Sequence, residues 1–215
     1  MKRSTSIRHA VLAAAIAAAG ISTALPTSAH AVAVEQGRRI DDPVAQQANQ
    51  ALALLNEATE TGDAKVQAAY EKARAEIAVA IAARIGSDVL PLSAAWANAD
   101  VVHQRALMAA LGQLGVPYRR NTSKPGVSFD CSGLTTYAWA QAGYSLQRSS
   151  AAQIRTAAAI TIETAQAGDL VYYPGHISMW LGVDRAMVHS PQTGRTVEVD
   201  VFSAKKRLRF ADPTI

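Results

Sequence analysis

Apolar residues recur at helical spacing from Val44 through Ala48, Leu52 and Leu55 until Thr61-Gly62-Asp63 interrupts them, and a second stripe of Val66, Tyr70, Ile77, Ile81 and Ile85 ends at Gly86. That spacing predicts two helices joined by a tight turn. Asp63 is placed to cap the second by accepting from its first free N–H groups, and Gly86 to close it in the left-handed conformation. Residues 89–98 break the period with Pro91 and Ser93, so a linker and a domain boundary are expected there. Asp100 then caps a helix carrying Val102, Ala106, Ala110 and Leu114 on one face and ending at Gly115 and Pro117. Residues 118–129 form a loop, 131–142 a helix closed by Gly143, and Ser150 opens a shorter helix. After Gly168 short runs at 169–173, 176–181, 186–189 and 196–202, each bounded by Gly, Pro or Asp, read as strands. Helices followed by strands predict an α+β fold with a largely antiparallel sheet over 99–215.

The first 31 residues carry a different pattern. Lys2, Arg3 and Arg8 precede an Ala-rich apolar stretch from Ala10 to Leu25, followed by Pro26 and the small-residue pattern Ala29-His30-Ala31. This is the form of a secretory signal peptide cleaved after Ala31. The stretch is shorter than the roughly 20 residues a membrane span needs. Residues 32–43 are a polar lead-in, which leaves 32–88 as a helical N-terminal region, 89–98 as a linker and 99–215 as a second domain, with no membrane span once the signal is removed.

Removing the signal changes the reading of charge. The 215-residue chain has formal net charge +4, but residues 1–31 hold three of its 21 Lys and Arg and none of its 17 Asp and Glu, so the remainder carries 18 against 17, or +1. A nearly neutral exported chain gives no support for nucleic-acid binding.

Export also leaves one cysteine and three histidines, His103, His176 and His189. A single cysteine forms no internal disulfide, and composition leaves it open between a buried hydrophobe, an intermolecular pair and a reactive thiol. Its context favours the last. In Phe129-Asp130-Cys131-Ser132-Gly133 the thiol stands where a loop becomes a helix, facing free N–H groups that lower a thiol pKa and can hold an oxyanion. His176 follows Pro174-Gly175 at a strand start, and His189 lies across the turn Gly182-Val183-Asp184-Arg185. If those strands pair as a hairpin, His189 can orient His176 as base for Cys131. His103, within a helix, reads as structural. A Cys-His-His zinc site from the same three residues matches the spacing of no closed structural site, so no metal or cofactor is expected.

Residues from about 103 to 209 resemble the NlpC/P60 family of papain-like cell-wall peptidases. The resemblance is carried by Leu114-Gly115-Val116-Pro117-Tyr118, Phe129-Asp130-Cys131-Ser132-Gly133-Leu134, Arg148-Ser149-Ser150-Ala151-Ala152-Gln153, Ala167-Gly168-Asp169-Leu170-Val171 and Gly175-His176-Ile177-Ser178-Met179-Trp180-Leu181-Gly182, in that order. It implies a papain-like domain with the catalytic cysteine at a helix N-terminus packed on an antiparallel sheet. Cys131 would be the nucleophile, His176 the base and His189 the orienting third member. Tyr118, Asp130 and Ser132 would line the substrate groove.

Two departures stand out. The aromatic-Gly-Gly segment usual after the tyrosine is replaced by residues 119–126, with Arg119, Arg120 and Lys124, a basic loop suited to carboxylates of an acidic peptide. The His176 to His189 separation is one residue longer than the family's usual spacing, which a bulge or longer turn would absorb.

The resemblance further implies a secreted, wall-associated peptidoglycan hydrolase acting on stem peptides, cutting between D-glutamate and the following diamino acid. An amidase acting between muramic acid and L-alanine and a non-catalytic wall-binding module are the alternatives. The N-terminal helices are expected either to dock near the groove in a regulatory contact or to serve as a spacer.

Overall fold

The computed structural model describes residues 38–215, so the expected signal peptide (1–31) and the start of the lead-in lie outside the described residues. Helices α1 (Pro43–Thr61) and α2 (Ala64–Ile85) form the hairpin set by the two apolar stripes. Asp42 accepts from the Val44 N–H at 2.9 Å and Asp63 from the Lys65 N–H at 2.7 Å, each satisfying a donor the helix leaves free. Gly62 and Gly86 close the two helices with φ of 68° and 67°.

Residues 89–98, expected as a linker, are instead a helix, α3 (Val89–Asn98). Pro91 is tolerated because it stands in the first turn, where a missing N–H breaks no bond. Leu92 and Trp96 are fully buried, and the Trp96 indole donates to the Leu181 carbonyl at 2.7 Å. Burial thus overrides the weak local pattern. The helices of residues 43–98 share one apolar core with the following segment, through Leu52, Tyr70, Ile77 and Trp96 on one side and Leu107, Leu111, Trp139 and Met179 on the other. Polar contacts reinforce it. Tyr70 and Arg74 both donate to Gln104 Oε1 at 2.7 Å, and Arg105 Nε donates to Asn56 Oδ1 at 2.8 Å.

The remaining elements are α4 (Val101–Leu111), a two-stranded ribbon of β1 (Ser123–Lys124) and β2 (Ser128–Phe129), α5 (Cys131–Gln141), α6 (Ser150–Thr156), β3 (Ala158–Ile160), β4 (Leu170–Tyr173), β5 (His176–Trp180), β6 (Ala186–His189), β7 (Glu198–Val201) and β8 (Arg209–Asp212). The six-stranded sheet runs β3-β8-β4-β5-β6-β7 with every pairing antiparallel. This is the α+β architecture expected from helices followed by strands. Strands β3 and β8 escaped the sequence reading because three or four residues flanked by turns show too little alternation, and each is legible only through its partner. The helix α5 packs across β5 and against α4, which places its first residue over the start of β5. No described helix is long and apolar enough to cross a membrane.

His103 ties α4 to the sheet. It is fully buried, with Nδ1 2.9 Å from Asp100 Oδ2 and Nε2 3.0 Å from Asp169 Oδ1 and 3.5 Å from Asp212 Oδ1. Burial opposes its charge, but the hydrogen bonds to Asp169 and Asp100 win and raise its pKa to about 9. A buried imidazolium edge-on to Trp139 therefore joins the helix start to the turn before β4.

Candidate active site

Asp130 sets the start of α5. As N-cap it accepts from the Gly133 N–H at 2.7 Å, and its other oxygen accepts from the Asn121 N–H at 2.7 Å. Arg148 closes a fork on the same carboxylate at 3.0 and 2.8 Å while donating to Ser132 Oγ at 2.9 Å. Asp130 is thus committed to holding the 119–122 loop and the α5 start together. Gly133 is required by that approach, because a Cβ there would lie 2.0 Å from the Thr122 carbonyl oxygen.

Cys131 is the first residue of α5 and half-buried. Its sulfur faces backbone N–H groups of Ile177 and Ser132, so the residue after His176 already touches the thiol. The low thiol pKa expected from the helix start does not hold. Burial, together with the Asp130 charge, pushes the thiol above its ordinary value despite those N–H groups.

The histidines meet because of strand register. Met179 pairs with Val188, so extending β6 by one residue sets His189 opposite Ser178, one same-face step from His176. His176 Nε2 lies 2.9 Å from His189 Nδ1 with the rings perpendicular at 86°. Phe202 stands edge-on to both rings, and Tyr173 packs against His176. Burial, with the nearby His189 and Lys206, lowers the His176 pKa to about 3, so it rests as a neutral base. Strands β5 and β6 are joined by the 181–185 turn, where Gly182 and Asp184 take positive φ of 91° and 47°. Ser190 Oγ donates to the Phe129 carbonyl at 2.9 Å, which ties the end of β6 to the strand leading into Cys131.

One buried group beside the histidines was not found from sequence. Glu198, the Cα partner of His189, places Oε1 3.5 Å from His189 Nε2, and Arg195 pairs with both carboxylate oxygens, Nη2 with Oε1 and Nε with Oε2. Only the register of β6 and β7 reveals this.

A cleft of about 790 Å³ opens over the thiol, lined by Tyr118, Arg120, Asp130, Cys131, Ser132 and Arg148 among others. The Tyr118 N–H donates to the Arg195 carbonyl at 2.8 Å, and burial with the Cys131 and Asp130 charges raises the phenol pKa, which keeps it a donor. Arg120 makes no hydrogen bond or ion pair with the described residues, whereas Arg148 is consumed by Asp130. None of the lining residues comes from α1, α2 or α3. Among the described residues two groups have metal-ligand types in reach, His103 with Asp169 and Asp212, and His189 with Glu198 and Asp200; neither includes Cys131. In the first, both imidazole nitrogens are already hydrogen-bonded.

Residues 115–209 match the NlpC/P60 family model. Among curated relatives, a protein named probable endopeptidase from Mycobacterium tuberculosis is 40% identical over 43% of this chain and 24% of its own length. The gamma-D-glutamyl-L-lysine dipeptidyl-peptidase of Bacillus cereus is 37% identical over 40% of this chain and 28% of its own. The chain therefore spans about a quarter of the length of these two relatives. Among solved structures, the P60 domain of an antigen from M. avium subspecies paratuberculosis is 25% identical with a TM-score of 0.45, over 52% of this chain and 93% of that one. The family match spans Tyr118, Cys131, His176 and His189, and residues 115–209 of this chain are an NlpC/P60 domain.

Proposed function

We propose that this chain is a secreted, wall-associated cysteine endopeptidase that hydrolyses peptidoglycan stem peptides between D-glutamate and the next diamino acid. The observation that carries the reading is a cleft-lining thiol at a helix start that faces the Ile177 N–H, next along the chain to a buried His176 that is hydrogen-bonded to His189. Two sets of relatives support the substrate class. One is named for a gamma-D-glutamyl-L-lysine bond, and another, from Bacillus subtilis, as a muramidase and DL-endopeptidase.

The shifts of the two groups support the chemistry. A thiol raised by burial beside an imidazole with pKa lowered to about 3 rests as thiol and neutral base. His176 takes the proton as the sulfur attacks the scissile carbonyl, so charge develops only in the transition state. The N–H groups at the start of α5 and the Tyr118 hydroxyl face the oxyanion. The imidazolium returns its proton to the leaving amine, a thioester remains, and His176 then draws a proton from water to release the acid. Ser132 and Asp130 shape the groove floor, and Arg120, free of partners in the described residues, draws a substrate carboxylate toward it.

Mass spectrometry of a defined muropeptide after treatment tests the reading. A new D-glutamate carboxyl terminus supports it, release of the intact peptide from muramic acid assigns an amidase, and an unchanged muropeptide leaves a binding module. Product formation by Cys131→Ala would sink the thiol mechanism.

A further inference from the structure

Two arrangements of one proton are available to the His176–His189 pair. In one, His176 Nε2–H donates to His189 Nδ1, which leaves His176 Nδ1 bare and puts a proton on His189 Nε2. In the other, His189 Nδ1–H donates to His176 Nε2; His176 Nδ1 then carries the proton and His189 Nε2 is a bare lone pair. Only the first has a His176 nitrogen free to accept from a thiol, since Nε2 is engaged with His189.

Glu198 breaks the tie. It sits directly across from His189 in the β6–β7 register, both side chains are buried, and its Oε1 lies 3.5 Å from His189 Nε2. A carboxylate there attracts an N–H and repels a lone pair. Arg195 holds the carboxylate in place through two nitrogens, and the Asp200 carboxylate, within reach of the same cluster, acts with the same sign. Keeping such a carboxylate out of solvent is costly, so a role in orienting the pair accounts for it better than stability does.

We propose that Glu198, braced by Arg195, is a positioning residue that fixes the tautomer of His189 and through it that of His176, keeping His176 Nδ1 bare for the Cys131 proton. The assignment rests on the reading of Cys131 and His176 as nucleophile and base. It extends the row of acceptors one residue past the third histidine, to a residue that touches no substrate.

The test combines kinetics with nitrogen NMR of the imidazoles in the full mature protein. The native spectrum is expected to show His189 protonated at Nε2 and His176 at Nε2. In Glu198→Gln, whose amide can donate, the population shifts toward Nδ1–H on both rings, and kcat on the muropeptide falls about 10- to 100-fold with KM within about 2-fold. A native spectrum with His189 protonated at Nδ1 overturns the proposal, and so does a folded Glu198→Gln protein with native kcat and native tautomers. Should Glu198→Gln fail to fold, the native spectrum decides alone. Absence of cleavage by the native protein would refute the proposed function, whereas the spectra would still decide the role of Glu198.

Discussion

The imidazole of His103 and the carboxylate of Asp169 meet at 3.0 Å with both side chains almost wholly shielded from solvent, and this contact makes stability depend on pH in a sense opposite to that of His176. His103 has a folded pKa of about 9 against 6.5 for the free side chain, so its contribution is complete below about pH 6.5 and is lost as pH rises through 9. His176 is lowered to about 3, so the unfolded chain binds its proton first and stability falls as pH drops below about 6.5. Asp42 and Asp100, both lowered, add to the acid loss, and Asp169, raised by burial, offsets some of it. The melting temperature is therefore expected to peak near pH 6.5. His103→Gln lowers it at pH 6 and flattens the decline between pH 7 and 9. An unchanged alkaline slope in that variant would count against a charged His103.

Thiol alkylation separates a resting thiol from a resting thiolate. Because burial pushes Cys131 up and leaves His176 neutral, iodoacetamide labelling is expected to be slow at pH 6 and to accelerate only as pH passes the ordinary thiol range. A preformed ion pair would instead label fast and at a constant rate down to about pH 5. Mass spectrometry of the Cys131 peptide over a pH series reads the difference.

Tyr118 is proposed to bear on the transition state. Its raised pKa keeps the hydroxyl protonated through the working range, and the cleft puts it with Cys131. Tyr118→Phe is expected to lower kcat about 100-fold with little change in KM, the signature of an oxyanion donor. A change confined to KM would make it a substrate contact instead.

The candidate site residues were legible in the sequence because each rests on a local signal. Asp130 before Cys131 marks a helix start, and the turn between two short strands sets His176 and His189 in reach of each other. Glu198 was not, since eight residues separate it from His189 and only the β6–β7 register brings them together. The state of the thiol was misjudged for a related reason: the helix start is visible in the sequence, but the burial that outweighs it arises from α5 lying on β5. Residues 89–98 misled in the other direction. Pro91 and Ser93 look like a break, yet Leu92 and Trp96 are drawn into a core whose later members reach as far along the chain as Val197.

That shared core predicts what the N-terminal helices do. None of their residues lines the cleft, and the main contacts of α1 and α2 beyond the N-terminal helices fall on α4 and β7, so they are expected to brace the domain from the side rather than plug its groove. Trp96→Ala removes a fully buried ring and its bond to Leu181, which is expected to cost about 3–5 kcal/mol in denaturant unfolding. A protein limited to residues 99–215 is expected to be less stable and no faster on wall fragments. Acceleration on truncation would restore the regulatory reading.

Selectivity is expected to rest on the loop that departs from the family pattern. Its backbone is pinned on both sides, with the Arg119 N–H donating to Phe129 at 2.9 Å and the Asn121 N–H to Asp130, so Arg120 is presented at the cleft from a fixed base. Two guanidinium groups line that cleft, but Arg148 is neutralised by Asp130, which leaves Arg120 as the cation with an open coordination sphere among the described residues. A partly exposed charge pair of this kind is worth about 1 kcal/mol. Arg120→Gln is therefore expected to raise KM about 5-fold for a stem peptide with a free carboxylate beside the scissile bond and to leave KM for the amidated peptide unchanged. The native protein should prefer the free acid, and added salt should erode that preference as screening weakens the contact. Equal KM for acid and amide in the native protein would show that Arg120 meets solvent rather than substrate.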